Sequence, residues 1–462
     1  KLLALMRHPM FRLWIGIDEV MMQRVCMRAV TFVQLRQKDD LFTAGSSAET
    51  AYTLTDGELC YTQDPDSSAV EYAESTTVFP GRWLSEAALW SEWIHVGRAE
   101  AVVPSQVLEI HAQSLLESVS RDMIISDLAA EYCKHFCRRV VSAGPPHAPW
   151  PNDLEVPFTD YCDLVVSMLK EVQVTIGMHA VQSLLTKSGT RGKVMDKLID
   201  EVRDGKSIVV VTGEGDIIRV VSLVALRAER DDDGFIFAQV AKWERDRGEI
   251  KAACQMPGFK QERDELVGEA FQRLFNTKLQ ILKNKVDITG TVRENSEKHS
   301  KEYGVHTRYI RSVCSARLAC GVTIDAPVCG VGVEKALSVN PGRAGVARTS
   351  SANASRPSVF QRHVSPSDTI SDPANPAALG MDPADAEMLR SLQETPVIVT
   401  GSLTDSSRNL YAWLPPEAFA SLNGGGKDHV LKAWVAMLRL PEAVGDWMSG
   451  ASDGDSVTAV SF

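Results

Sequence analysis

The feature that most constrains this chain is a change of period. Leu13, Ile17, Val20, Met21 and Val25 recur at helical spacing, and from Thr31 the apolar repeat shortens to two. The first 30 residues therefore read as helix, broken at Pro9. Thr31–Gln37 reads as strand, and Leu41-Phe42 leads to a turn at Gly45. Ala51–Leu54 and Glu58–Gln63 flank Asp56-Gly57, the strongest short hairpin signal. Val70–Val78 continues as strand, Pro80-Gly81 is a turn, and Leu84–Trp93 reads as a short helix. Arg98–Val103 and Gln106–His111 are strands, and Ala112–Val140 is helical again. A compact set of short strands, interrupted by one small helix, is thus bracketed by helices.

The spacing predicts an α+β chain of two folded units. The first spans 1–143 and is followed by a Pro-rich linker at 144–154. The second comprises 155–328 plus 396–440. It has helices over Asp163–Leu185, Lys193–Arg203 and Glu262–Asn276, and strands over Ser207–Val211, Ile217–Arg227, Phe235–Lys242, Val286–Val292 and His306–Val313. Residues 338–392, rich in Ala, Ser, Pro, Asn and Asp, read as a disordered insert, and 441–462 as a tail. Of 462 residues 44% are hydrophobic and 24% charged, as in an ordinary globular protein. The net charge of −11 argues against binding a nucleic-acid backbone. No apolar run reaches the roughly 18 residues of a membrane span. The chain opens at Lys1 in mid-pattern, which reads as an internal segment of something longer.

Nine scattered cysteines, with no C-x-x-C, fit a reducing setting. Cys133 and Cys137 lie four residues apart on a helix with His135 between them. They read either as two thiols on one helix face or as a metal pair. The histidines show no other metal spacing, and no catalytic residue is expected.

The first unit carries a family resemblance. LMRHPMF (5–11), LFTAGSSAETAYTLTDGELCYTQ (41–63), FPGRWLSEAALW (79–90) and GRAEAVVPSQVLEI (97–110) resemble the cyclic-nucleotide-binding domain, in the version found in voltage-gated and cyclic-nucleotide-gated cation channels. The resemblance implies a β-roll with flanking helices and a phosphate cassette over Pro80–Ala101. In that cassette Gly81, Ser85, Glu86, Ala87, Ala88, Arg98 and Ala99 are the implied ligand-binding residues. Glu86 would take a ribose hydroxyl, the Ala87–Leu89 amides the phosphate, and Arg98 the phosphate by a bidentate fork. The implied ligand is cAMP or cGMP; no other cofactor and no metal is implied. Two departures stand out. Ser85 replaces the family's glycine, and the Glu86–Arg98 interval is about three residues longer, carrying Trp90, Trp93 and His95.

A weaker resemblance covers CQMPGFKQERDELVGEAFQRLFNTKL (254–279), which is similar to the Nudix hydrolase box. Gly258, Glu265 and Arg273 match it. Thr277 and Lys278 stand where the metal-binding glutamates belong, so the implied fold is Nudix-like without catalysis. Together these readings imply the cytoplasmic tail of a voltage-gated, potassium-type channel, beside a membrane pore and in fours, whose nucleotide-binding-type domain modulates gating. The alternatives are a soluble cyclic-nucleotide sensor regulating an enzyme such as a protein kinase, or a Nudix-type diphosphate hydrolase.

Overall fold

The computed structural model describes residues 1–188, 193–244, 246–300, 305–331, 381–401 and 407–440. The chain divides into two compact units, Lys1–Asp233 with Met256–Val322, and Gly234–Gln255 with Thr323–Phe462. The division falls inside the 155–328 region.

The first unit opens with helices α1 (Leu2–Leu5), α2 (Pro9–Ile17) and α3 (Glu19–Arg28). Pro9 stands in the first turn of α2, where its missing N–H costs nothing. Asp18 caps α3 by accepting from the Met21 amide. Ten short strands follow: β1 (Val30–Leu35), β2 (Asp40–Phe42), β3 (Ser47–Ala48), β4 (Thr50–Asp56), β5 (Leu59–Gln63), β6 (Glu74–Val78), β7 (Trp83–Leu84), β8 (Trp93–Ile94), β9 (Gly97–Ala101) and β10 (Ser105–His111). They form a roll of two four-stranded sheets, ordered β1-β10-β4-β7 and β2-β9-β5-β6, with a small β3–β8 pair. Leu35, Phe42, Tyr52, Leu54, Leu59, Tyr61, Val78, Leu84, Ala99, Ala101 and Val107 fill its interior. Helices α4 (Ala112–Val119) and α5 (Met123–Ser142) close the roll. Tyr132 and Phe136 of α5 share a core with Phe11 and Trp14 of α2.

The Asp56-Gly57 signal marks a turn but not a hairpin. The strands beside it do not pair with each other: β4 bonds to β10 and β7, and β5 to β6 and β9. The turn carries the chain from one sheet of the roll to the other. Gly57 has φ +91°, and a Cβ there would stand 2.3 Å from Ser105 Oγ and 2.7 Å from its Cα. A close crossing of two backbones, more than hairpin geometry, fixes this glycine.

After α5, helices α6 (Tyr161–Ser167), α7 (Lys170–Ser188) and α8 (Lys193–Arg203) lead to strands β11 (Ile208–Val211) and β12 (Ile217–Arg230). β12 anchors a mixed sheet. It runs antiparallel to β11 and to Gly258–Lys260, and parallel to His306–Leu318, which pairs antiparallel with Val286–His299. In the second unit Ile236–Glu244 pairs antiparallel with Glu249–Gln255 and Ser407–Leu414, which in turn pairs with Val397–Thr400. Helices Pro416–Asn423 and Asp428–Ala436 belong to the same unit.

Two expectations need correction. The end of the expected disordered insert is a helix, Pro383–Gln393, with Asp382 accepting from the Asp385 amide at its start. Ala386, Leu389 and Leu392 are its buried stripe, a helical period masked by the flanking composition. The rest of the insert, 338–380, and the tail 441–462 lie outside the described residues. The helix expected from Glu262 begins at Val267, because Asp264 takes φ +54° and Glu269 caps the following turn through the Leu266 amide.

Gly57→Ala is expected to destabilise the protein by about 1–3 kcal/mol in urea unfolding. Gly45→Ala is the control, since Gly45 has φ +80° but nothing within 4 Å of a Cβ. Its cost should stay near about 1 kcal/mol. Equal costs would remove the role given to Ser105.

Candidate functional site

The cassette is built between β7 and β9. Ser85 is buried, and its φ of +54° is unusual for a residue with a side chain. A 3₁₀ turn, Glu86–Leu89, follows it. The strain at Ser85 is held by its partners. Its amide donates to the Asp153 carbonyl at 2.6 Å, and its hydroxyl lies 3.3 Å from Asp153 Oδ1 and 3.2 Å from His95 Nδ1.

Asp153 is the centre of this site, and it comes from the Pro-rich stretch 144–154 read above as a linker. It is 2% exposed. Oδ1 accepts from Trp93 Nε1 at 2.8 Å, His95 Nδ1 at 2.8 Å and Ser85 Oγ at 3.3 Å. Oδ2 accepts from Tyr61 Oη at 2.9 Å and from the backbone amides of Val96 and Gly97, each at 3.0 Å. Burial pushes this carboxyl up, and the hydrogen bonds from His95 and Trp93, with those of its other partners, more than offset it. The net result is a carboxyl held below its ordinary value. Two successive amides and side-chain donors converging on one carboxylate make an anion nest. His95 is fixed in it by stacking on Phe42, with ring centroids 3.9 Å apart. Gly97 lets Tyr61 approach: a Cβ there would lie 2.4 Å from its ring.

Sequence reasoning missed Asp153 because prolines at 149, 151 and 157 masked it. A signal was present: Trp150, Leu154 and Val156 make that stretch more apolar than a solvated connector.

The residues expected to bind ligand do not converge. Glu86 faces α2 and α5. Its Oε1 accepts from Tyr132 Oη at 2.8 Å and Trp90 Nε1 at 3.2 Å, and lies 3.2 Å from His8 Nε2. Burial raises this carboxyl, while His8 and these hydrogen bonds bring it below its ordinary value. Arg98 is not in the pocket. Strand alternation buries Ala99 in the roll and turns Arg98 outward, where it bonds to Asp40 Oδ1 at 2.6 Å and to Glu100. Ala87 and Ala88 are buried, and the Ala88 amide donates to the Ser85 carbonyl. Gly81, φ +95°, makes the turn before β7, and its amide donates to the Leu54 carbonyl.

The residues read as a Nudix box form a structural lock. Glu265 accepts from Arg273 Nε at 2.7 Å and Nη2 at 2.8 Å, and from the Glu262 amide at 2.8 Å. Arg273 stacks 3.8 Å over Phe259, and Lys278 Nζ donates to the Gly258 carbonyl. Among the described residues no cluster of three or more His, Cys, Asp or Glu side chains could hold a metal.

A two-sheet β-roll interrupted by a 3₁₀ turn and flanked by helices, the architecture the sequence resemblance implies, occupies roughly a quarter to a third of the chain. Solved structures similar to parts of this chain include the N-terminal domain of a transcriptional regulator from Streptomyces coelicolor (18% identity, 30% of this chain and 90% of that one, TM-score 0.25). A cyclic nucleotide-binding-like protein from Brucella abortus is 22% identical over 24% of this chain and 96% of its own, with a TM-score of 0.20. The C-linker/CNBHD of zELK channels is 13% identical over 22% of this chain and 53% of its own, with a TM-score of 0.18. No protein-family model matches the chain, and no curated protein matches it. No comparison supports the Nudix resemblance. Among the described residues no helix is long and apolar enough to cross a membrane.

Because Asp153 ionises more readily folded than unfolded, its contribution is present above the ordinary carboxylate value of about 3.9 and is lost as pH falls through its lowered folded value. Asp153→Asn should therefore cost about 1.5–3 kcal/mol at pH 7 and flatten the acid limb of the stability–pH curve. Urea midpoints between pH 2 and 7 measure both. A mutant curve parallel to that of the wild type would overturn the assignment.

Proposed function

We propose that residues 1–160 are a regulatory domain of the cyclic-nucleotide-binding type that carries its own ligand. The observation behind this reading is the Asp153 carboxylate, satisfied by six donors inside the roll. The nest supplies what a cyclic phosphate asks for: two adjacent amides, two hydroxyls and two ring N–H donors around a buried negative charge. Asp153 presents that charge from the same chain. A free nucleotide must compete with a tethered group at high effective concentration. It must also bind without Arg98, which is engaged outside by Asp40 and Glu100.

In this reading the domain transmits state by contact. Glu86 of the cassette is held by Tyr132 of α5, the helix that closes the roll. Displacing Asp153 frees Ser85 and loosens the turn that Glu86 begins. The channel-type sequence motifs support placing this unit in the cytoplasmic tail of a cation channel, acting on a pore assembled from several subunits. The reading assigns no reaction to the chain, and Glu265, engaged by Arg273, supplies none.

Calorimetry with cAMP and cGMP on the whole chain tests the proposal. The wild type is expected to give no heat at millimolar nucleotide. Asp153→Ala is expected to bind in the micromolar-to-millimolar range, and Arg98→Ala to behave as the wild type. Micromolar binding by the wild type that Arg98→Ala abolishes would reject the self-liganded reading.

A further inference from the structure

The first unit holds a cavity of about 890 Å³, and none of the residues that fill the roll interior lines it. One wall is the 152–163 segment that carries Asp153. Another is a sheet face: Arg293 and Asn295 of the strand Val286–His299, and Arg308 and Ile310 of its neighbour His306–Leu318. Trp83 and Phe158 supply apolar lining. A cavity of this size takes a small organic molecule, since such sites run from about 300 to 1,000 Å³.

The charges inside decide which molecule. Three guanidiniums gather around Cys162 and Asp163. Arg139 is buried and bonds only to neutral acceptors, the His135 and Asp163 carbonyls at 2.9 and 3.1 Å and the Ser167 hydroxyl at 2.8 Å. Arg293 pairs with the buried Asp163 carboxylate, and burial with the nearby Arg139 pulls its guanidinium down to about 9. Arg308 gives Nε to the exposed Glu297 at 2.7 Å, its Nη1 lies 3.9 Å from Cys162 Sγ, and its Nη2 makes no hydrogen bond among the described residues. The buried Tyr161 lines the same cavity, and its hydroxyl makes no hydrogen bond among the described residues. Carboxylates line the cavity too. Asp163 is spent on Arg293, Asp153 on its six donors and Glu86 on Tyr132 and Trp90, while Glu155, Asp160 and Glu214 are exposed to solvent. The groups left unspent away from solvent are therefore donors, and the buried charge beside them is in positive excess.

We propose that this cavity binds a small phosphate monoester, its phosphate taken by Arg308, Arg293 and the Tyr161 hydroxyl and its organic part by the Trp83 and Phe158 surfaces. A monoester carries about −2 charges at pH 7 and offers three acceptor oxygens, which suits several guanidiniums better than a carboxylate or a singly charged diester. The inference does not rest on the self-liganded reading, because the nest and this cavity use different donors.

The test is a calorimetric titration of the full chain at pH 7 with phenyl phosphate, beside benzoate and phenol. Phenyl phosphate should bind, and benzoate and phenol should bind about tenfold more weakly or not at all. Arg308→Ala should weaken phenyl phosphate about tenfold or more. Tyr161→Phe breaks no hydrogen bond within the protein, so it keeps the test open if the arginine variant misfolds; it should weaken binding about threefold. Absence of phenyl phosphate binding, benzoate binding as tightly, or an affinity that either folded variant leaves unchanged would each overturn the proposal.

Discussion

The cassette depends on one carboxylate. Without Asp153, the amides of Val96 and Gly97, the indole N–H of Trp93 and the Tyr61 hydroxyl would point at one another's positive ends inside a closed roll. Buried donors left without an acceptor are costly, so a nest of this kind needs an anion or a rearrangement. The carboxylate in turn tolerates burial only because these donors surround it. Its position explains Ser85 as well. A glycine would reach φ +54° without strain, but only a side chain with a hydroxyl can add a bond to Asp153. The serine that stands where the resemblance implies a glycine thus bonds to Asp153.

Glu86 is held through one oxygen: its Oε1 accepts from Tyr132 and Trp90 and lies beside His8 Nε2, bonds that tie the cassette to α2 and α5. The turn is therefore gripped from both ends. Asp153 holds its first residue, and α5 holds its Glu86 and its terminal Trp90 carbonyl.

Much of the β-roll was legible in the sequence because its signals are local. The switch from helical to strand period at Thr31, the Pro80-Gly81 turn and the return to helix at Ala112 are each set by neighbouring residues. Asp56-Gly57 shows the limit. A positive-φ glycine announces a turn, but whether the strands beside it pair depends on Ser105, nearly fifty residues away. Arg98 shows another. The motif fixes its place in the chain, whereas the alternation that buries Ala99 decides which way it points. Asp153 was the least legible, because six donors from 61, 85, 93, 95, 96 and 97 converge on it only after folding. No spacing rule relates an acid to donors that distant in sequence.

The helix within the expected disordered insert carries the converse lesson. Composition over 338–392 averages away a stripe of Ala386, Leu389 and Leu392 that a short window resolves. Asp382 and Pro383 supply a capped start, and Asp385, one turn in, is paired with Lys427 and with His429 Nε2 at 2.6 Å. Composition fails here for the same physical reason that it fails at Asp153. A buried acid inside a polar, proline-bearing stretch looks like solvated chain until its partners are known, and those partners lie far along the sequence. In both units an acidic residue in such a stretch anchors the segment that follows, so net charge alone says little about which carboxylates face water. What distinguishes the anchors is their neighbourhood of apolar residues: Trp150, Leu154 and Val156 around Asp153, and Ala386, Leu389 and Leu392 after Asp385. An acid among prolines and a run of apolar residues is better read as a folded lock than as a linker.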